Sequence, residues 1–289
     1  MNTLQVAESR SISRIFQPFI PQGRLTSQPC RAHLAGRQRS QAHFPCCTSS
    51  HRRPDARRQA TSTEQGTDVT GDTALQSWKQ KAPGFLLLIF GLGATIGPAV
   101  DGIHGQVHLL QYDSAPVHIG SLDSSVWVFG LLGAFYAVLG ALYVILDGLV
   151  QSGTILQGKN AGATVEAVKR ADLPFTLLSL GVVATLHELS SILYAQGVPY
   201  GQIAAILAAC AAANWAIFDR TKQGLLLATL CGLSAPASEL LLMKLFHVWH
   251  YSRPDLIVGG VGLPSWVSCC YFFYTPWLAN AARLAWKRL

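Results

Sequence analysis

Five of the six histidines beyond residue 60 fall in or beside segments joining apolar runs: His104, His108, His118, His247 and His250. Asp101, Asp113, Asp123 and Asp255 accompany them. His104 and His108 are four residues apart, and His247 and His250 three apart. On a helix either spacing puts two imidazoles on one face, where they could ligate zinc or copper. The plainer alternative is histidine at a membrane interface with no metal, and no metal or cofactor is expected.

A second stretch, NWAIFDRTKQG (Asn214–Gly224), raises a different question. Residues 198–218 carry no charge, and Asp219 and Arg220 follow them directly. If the uncharged run is a helix, Asp219 stands at the end whose dipole disfavours a carboxylate. It either contacts a partner, together with Arg220, or caps the next helix and pairs with Lys222. His187 and Glu188 are adjacent, so their side chains diverge on a helix. They and Glu239 are costly at membrane depth and are expected to make polar contacts inside a bundle. The chain has no G-x-S-x-G, no H-E-x-x-H, no P-loop and no dinucleotide glycine pattern, so no enzymatic activity is expected. Its seven cysteines show neither a disulfide nor a metal spacing.

These residues sit among long apolar runs. A bilayer core takes ~20 apolar residues per helix. Six runs qualify: residues 83–100, 124–146, 173–198, 198–218, 224–246 and 264–282. The expected fold is all-α and integral to the membrane, a bundle of six transmembrane helices. Ten basic residues then fall on one side: Lys79, Lys81, Lys159, Lys169, Arg170, Arg220, Lys222, Arg283, Lys287 and Arg288. The other side has only Lys244 and Arg253. Positive charge stays inside, so both termini are expected on the cytosolic or stromal side. Small residues at three- and four-residue steps, as in Gly93-x-x-x-Gly97 and from Gly130 to Ala141, suit close helix packing. Pro276 predicts a kink.

Charge divides the chain again. Residues 1–60 hold ten Arg against Glu8 and Asp55, or +8; the other 229 residues hold twelve basic and thirteen acidic groups, or −1. The basic pI therefore belongs to the N-terminus, and the body has no basic stripe for nucleic acid. Residues 1–60 read as an Arg-rich transit peptide, plastid in preference to mitochondrial, or as a disordered tail. Residues 61–82 read as a linker and 83–289 as the membrane domain.

Within that domain, WAIFDRTKQG (Trp215–Gly224) resembles the signature of the insulin-induced gene (INSIG) family, in which a tryptophan-bearing fourth helix ends in Phe-Asp-Arg before a basic turn and a glycine. HYSRPD (His250–Asp255), SWVSCC (Ser265–Cys270), and Asn280 with Arg283 resemble later motifs of that family. SSVW (Ser124–Trp127) and GALYVILD (Gly140–Asp147) resemble its second helix. The segment Gln106–Gly120 has no counterpart there, and the long N-terminus differs from the animal members of the endoplasmic reticulum.

The resemblance implies a non-enzymatic protein that binds a lipid between its helices and retains partner membrane proteins; in animals the ligand is an oxysterol and the partners carry sterol-sensing domains. It implies partner binding at Asp219, with Arg220 beside it, and lipid binding at Gln202 and Trp215. Those two lie 13 residues apart, about 20 Å along a helix, so they could touch two ends of one elongated lipid. A sterol, isoprenoid, carotenoid or diacylglycerol would fit. The rival from another class is a metal-binding or solute-translocating membrane protein using His104, His108, His247 and His250.

Overall fold

The computed structural model describes residues 69–289, with side chains from Trp78 onward. The expected transit peptide, residues 1–60, lies outside the described residues.

Six long helices occupy the expected runs: α1 (Val69–Gln106), α2 (Val126–Gln151), α4 (Leu173–Ala195), α5 (Tyr200–Phe218), α6 (Lys222–Phe246) and α7 (Val267–Arg288). Helix α1 reaches back through residues expected to form a linker, because TALQSWKQKA contains mostly helix-forming residues. A short seventh helix, α3 (Lys159–Arg170), was not expected. It turns Asn160, Thr164 and Ala167 inward, so its buried face is largely polar and gives no apolar run to read.

Five helices, α1 from Trp78 onward, α2, α4, α5 and α6, are long and apolar enough to cross a membrane. Helix α7 has a suitable length, but 14 of its 22 residues are buried, among them Thr275, Asn280 and Arg283. It packs against all six other helices. A helix surrounded by protein faces little lipid, so it can carry polar side chains that an outer helix could not.

The all-α expectation needs one correction. Among the described residues, six short strands pair in three antiparallel couples: β1 (Leu110–Tyr112) with β4 (Trp249–Tyr251), β2 (Pro116–Ile119) with β3 (Leu122–Ser125), and β5 (Leu256–Val258) with β6 (Val261–Leu263). All lie in the α1–α2 and α6–α7 connections. Three or four residues per strand are too few for an alternating pattern to stand out. The β1–β4 ladder, Leu110 opposite Tyr251 and Tyr112 opposite Trp249, ties the two connections together at one end of the bundle.

At the opposite end, Trp78 of α1 packs on Trp286 of α7 with ring centroids 4.9 Å apart. The beginning of the first span and the end of α7 therefore lie together. Helices α1 and α2 approach closely where glycine permits it. A methyl on Gly93 would strike Leu132 and Tyr136, and one on Gly133 would meet Phe90 at 2.8 Å.

Candidate functional site

Helix α5 runs uncharged to Phe218 and stops at Asp219, whose backbone N–H still donates to Trp215 O at 3.0 Å. Arg220 takes a left-handed conformation (φ 59°), and the chain reverses. Thr221 then caps α6: its Oγ1 accepts from Gly224 N at 3.0 Å and donates to Asp219 Oδ1 at 2.9 Å. Thr221 is thus the helix cap expected of Asp219. Nor does Asp219 pair with Lys222.

Its partner is Arg283 of α7, whose Nη1 donates to Asp219 Oδ1 at 2.8 Å. Arg283 also grips Asp147 of α2, donating from Nε to Oδ2 at 2.6 Å and from Nη2 to Oδ1 at 3.2 Å. Gln223 donates to Asp147 Oδ1 at 2.9 Å and to Thr164 Oγ1 at 2.8 Å, and accepts from Asn160 at 3.1 Å. The ring of Tyr143 lies 5.5 Å from the guanidinium. Asn280 donates to Phe218 O at 3.1 Å and holds the last turn of α5 against α7. This network joins α2, α3, α7 and the α5–α6 turn.

Asp219 is only 1 % exposed. Its carboxylate is therefore not a surface contact, whereas Arg220 is exposed. Oδ2 of Asp219 has no hydrogen-bond partner among the described residues, and one guanidinium serves two carboxylates. Burial holds the Asp219 carboxyl above its usual value, with Arg283 and Thr221 opposing the shift. Gly224 is required here because a methyl on it would overlap Asp219 Oδ2.

Toward the other end, a mainly apolar chamber with a few ionisable side chains opens inside the bundle. Two adjoining cavities of about 140 and 40 Å³ share Asp101 of α1, Phe135 of α2, Glu239 of α6 and Tyr271 of α7. Tyr251 donates to Glu239 Oε2 at 2.8 Å, and Tyr271 donates to Oε1. His104 and His187 line the smaller cavity with ring centroids 5.3 Å apart. Glu239 and His187 make structural contacts of the expected kind; Glu188 is exposed instead.

The histidine pairs separate because a helix ends inside the first and immediately before the second. Helix α1 stops at Gln106, so His104 is buried against Ser190 (2.8 Å) while His108 lies beyond the helix and is exposed. Helix α6 stops at Phe246; His247 is its left-handed cap, and His250 lies on β4, with Nδ1 2.8 Å from Asp113. Among the described residues, no group of three or more His, Cys, Asp or Glu is placed to hold a metal.

A third feature faces outward between α5, α6 and α7. This groove of about 350 Å³ is apolar and lined by Ala208, Ala211, Ala212, Gly232, Leu233 and Phe272, among others. Gly232 lets the helices close, since a methyl there would stand 2.9 Å from Ser268 O. Trp215 follows Ala211 and Ala212 by one turn on the same side of α5. Its Nε1 donates to Thr221 O at 3.3 Å. Gln202 is exposed near the start of α5. Thirteen residues at 3.6 per turn place it roughly 220° around the helix from Trp215.

The class of molecule is thus a mostly helical multi-pass membrane protein with a buried ionic network at one end and short strands at the other. The model of the insulin-induced protein (INSIG) family matches residues 85–268, and the chain belongs to that family. Its members are generally non-enzymatic regulatory membrane proteins. The fold is that of the mycobacterial Insig homolog MvINS from Mycobacterium vanbaalenii, with TM-score 0.53 and 20 % identity over 70 % of this chain and 94 % of that one. A cross-linked trimer of MvINS matches over the same shares, with TM-score 0.53 and 21 % identity. No curated protein matches the chain significantly.

Proposed function

We propose that this protein binds an elongated, largely apolar lipid against its helices and retains or regulates other integral membrane proteins, acting in lipid or sterol homeostasis. The outward groove between α5, α6 and α7 carries this reading. It is apolar, open to the side and floored by small residues, and Trp215 lies one turn beyond Ala211 and Ala212 on α5. The lipid lies along α5 with Trp215 at one end; Gln202, on another side of the helix, meets a second part of the ligand or the partner. Arg220, on the exposed turn that Asp219 and Thr221 shape, is the contact offered to a partner, and Asp219 acts through that turn. Residues 1–60 direct the protein to a plastid membrane, with both ends of the bundle's chain in the stroma. The endoplasmic reticulum membrane is the alternative.

The test is lipid mass spectrometry of purified protein beside the Ala212→Phe variant, which fills the groove from an exposed helix position. A stoichiometric lipid in the parent and its loss in the variant support the reading. Equal lipid in both removes the groove as the site. Pull-downs from Arg220→Ala that recover the same membrane proteins as the parent would exclude the turn as a contact. A C-terminal fluorescent fusion tests the compartment.

A further inference from the structure

The β5–β6 hairpin has an unusual surface. Leu256, Ile257 and Val258 follow one another and are 45, 67 and 52 % exposed. Successive strand side chains point to opposite faces, so both faces of β5 are apolar and uncovered. From Leu256 to Pro264 there is no charged residue. Gly259 and Gly260 form the tip with φ of 61° and 88°, a turn that requires glycine-like backbone freedom. The hairpin is also well held. Asp255 clamps its base, accepting from Ser265 N at 2.6 Å and from Ser265 Oγ at 2.7 Å. On the β6 side, Leu263 is fully buried and the strand packs on α6. Three exposed apolar side chains on a rigid support are costly in water and suit an apolar neighbour.

Its position identifies the neighbour. Lys244, in the last turn of α6, places Nζ 2.9 Å from where a methyl on Gly259 would stand. A lysine near the end of a spanning helix extends its ammonium to the headgroup layer. The hairpin tip is therefore level with the lipid headgroups. On α6 itself, Leu241, Leu245 and Phe246 are exposed beside Lys244, so the apolar lipid-facing surface of the helix continues toward β5. At the same end of the bundle Trp127, in the first turn of α2, is also exposed, as expected of a tryptophan in the interfacial belt.

We propose that the β5–β6 hairpin is an interfacial anchor, seated in the bilayer at the boundary between headgroups and acyl chains, with Leu256, Ile257 and Val258 as its lipid contacts. The lipid is the surrounding bilayer, not a ligand in the α5–α6–α7 groove, so the proposal stands or falls independently of lipid retention there. The anchor fixes the depth of the α6–α7 connection, and through β4 and β1 that of the α1–α2 connection.

The test uses the full chain in phosphatidylcholine nanodiscs. Ile257→Trp and Val258→Trp each add a tryptophan at an exposed site, read as the difference from the parent emission. Quenching by phosphatidylcholine brominated near the headgroup end of the acyl chains is compared with quenching by aqueous iodide. The expected result is a blue-shifted added emission that loses most of its intensity to brominated lipid. Loss to iodide without loss to brominated lipid would place the hairpin in water and overturn the proposal. Insensitivity to both in the two variants would mean that protein covers the hairpin, a second copy or a partner, and would overturn it equally.

Discussion

Arg283 and Asp219 are 64 residues apart in the chain and meet at 2.8 Å between Nη1 and Oδ1, both closed off from solvent. The carboxylate at the unfavourable end of α5 is thereby explained. It joins the α5–α6 turn to the central helix, where a guanidinium supplies the positive charge that the helix dipole does not.

Removing the guanidinium leaves two buried carboxylates without a cation. Arg283→Leu is therefore expected to cost about 3–5 kcal/mol. Asp219→Asn retains an acceptor for Arg283 and leaves the Arg283–Asp147 pair intact, so it is expected to lose clearly less. Unfolding in detergent measures both. An Arg283→Leu protein as stable as the parent would show that the network is not structural.

The same site predicts a pH dependence. Asp219 has a folded-state pKa above its usual 3.8 because burial disfavours the charged form. A raised folded pKa means that the folded state binds the proton more tightly than the unfolded chain. The stability contributed by Asp219 is complete below that usual value and declines as pH rises through the folded one. Stability curves of the parent and Asp219→Asn should accordingly diverge at low pH, with the variant lacking this decline. Parallel curves across the acid range would contradict the assignment.

Gly224→Ala is expected to be severe for a residue in the first turn of a helix. The added methyl displaces the Asp219 carboxylate and with it the contact to Arg283. Relieving the overlap with Asp219→Ser should make the double variant less damaged than the sum of the two changes. Such coupling between touching residues typically reaches 0.5–3 kcal/mol. Strict additivity in a double-mutant cycle would refute the close contact.

Glu239 accepts two tyrosine hydroxyls inside the bundle. Glu239→Gln keeps an acceptor, while Glu239→Leu strands Tyr251 and Tyr271, at about 1–3 kcal/mol for each unsatisfied group. The leucine variant should therefore unfold at the lower temperature despite its greater hydrophobicity. The reverse order would mean that the hydroxyls find other partners.

The long helices were legible in the sequence because five of them are apolar over most of their length, and α7, though enclosed by protein, still carries an uncharged run up to Ala282. The family was legible from Trp215 to Gly224 because that turn is built from local contacts. What the sequence concealed depends on distant partners. The role of Asp219 needs Arg283, which the sequence offers as a motif residue and a basic flank but not as the partner of Asp219 until α7 is seen to run through the centre. His104 and His108 have ligand spacing, yet the helix ends between them. Helix α3 is held by Asn160 and Thr164 in the network around Gln223, so its inward face resembles a loop.

The two ends of the bundle are fastened by different means. At one, the β1–β4 ladder stitches the α1–α2 connection to the α6–α7 connection. At the other, the Arg283 network and the packing of Trp78 on Trp286 do the same. Ends held in this way leave the side of the bundle as the open face, where the groove between α5, α6 and α7 looks outward. Molecules exchanged by this protein would thus arrive sideways, from within the plane of the bilayer, and their supply would be set by the lipid composition of that leaflet instead of by concentrations in the water on either side.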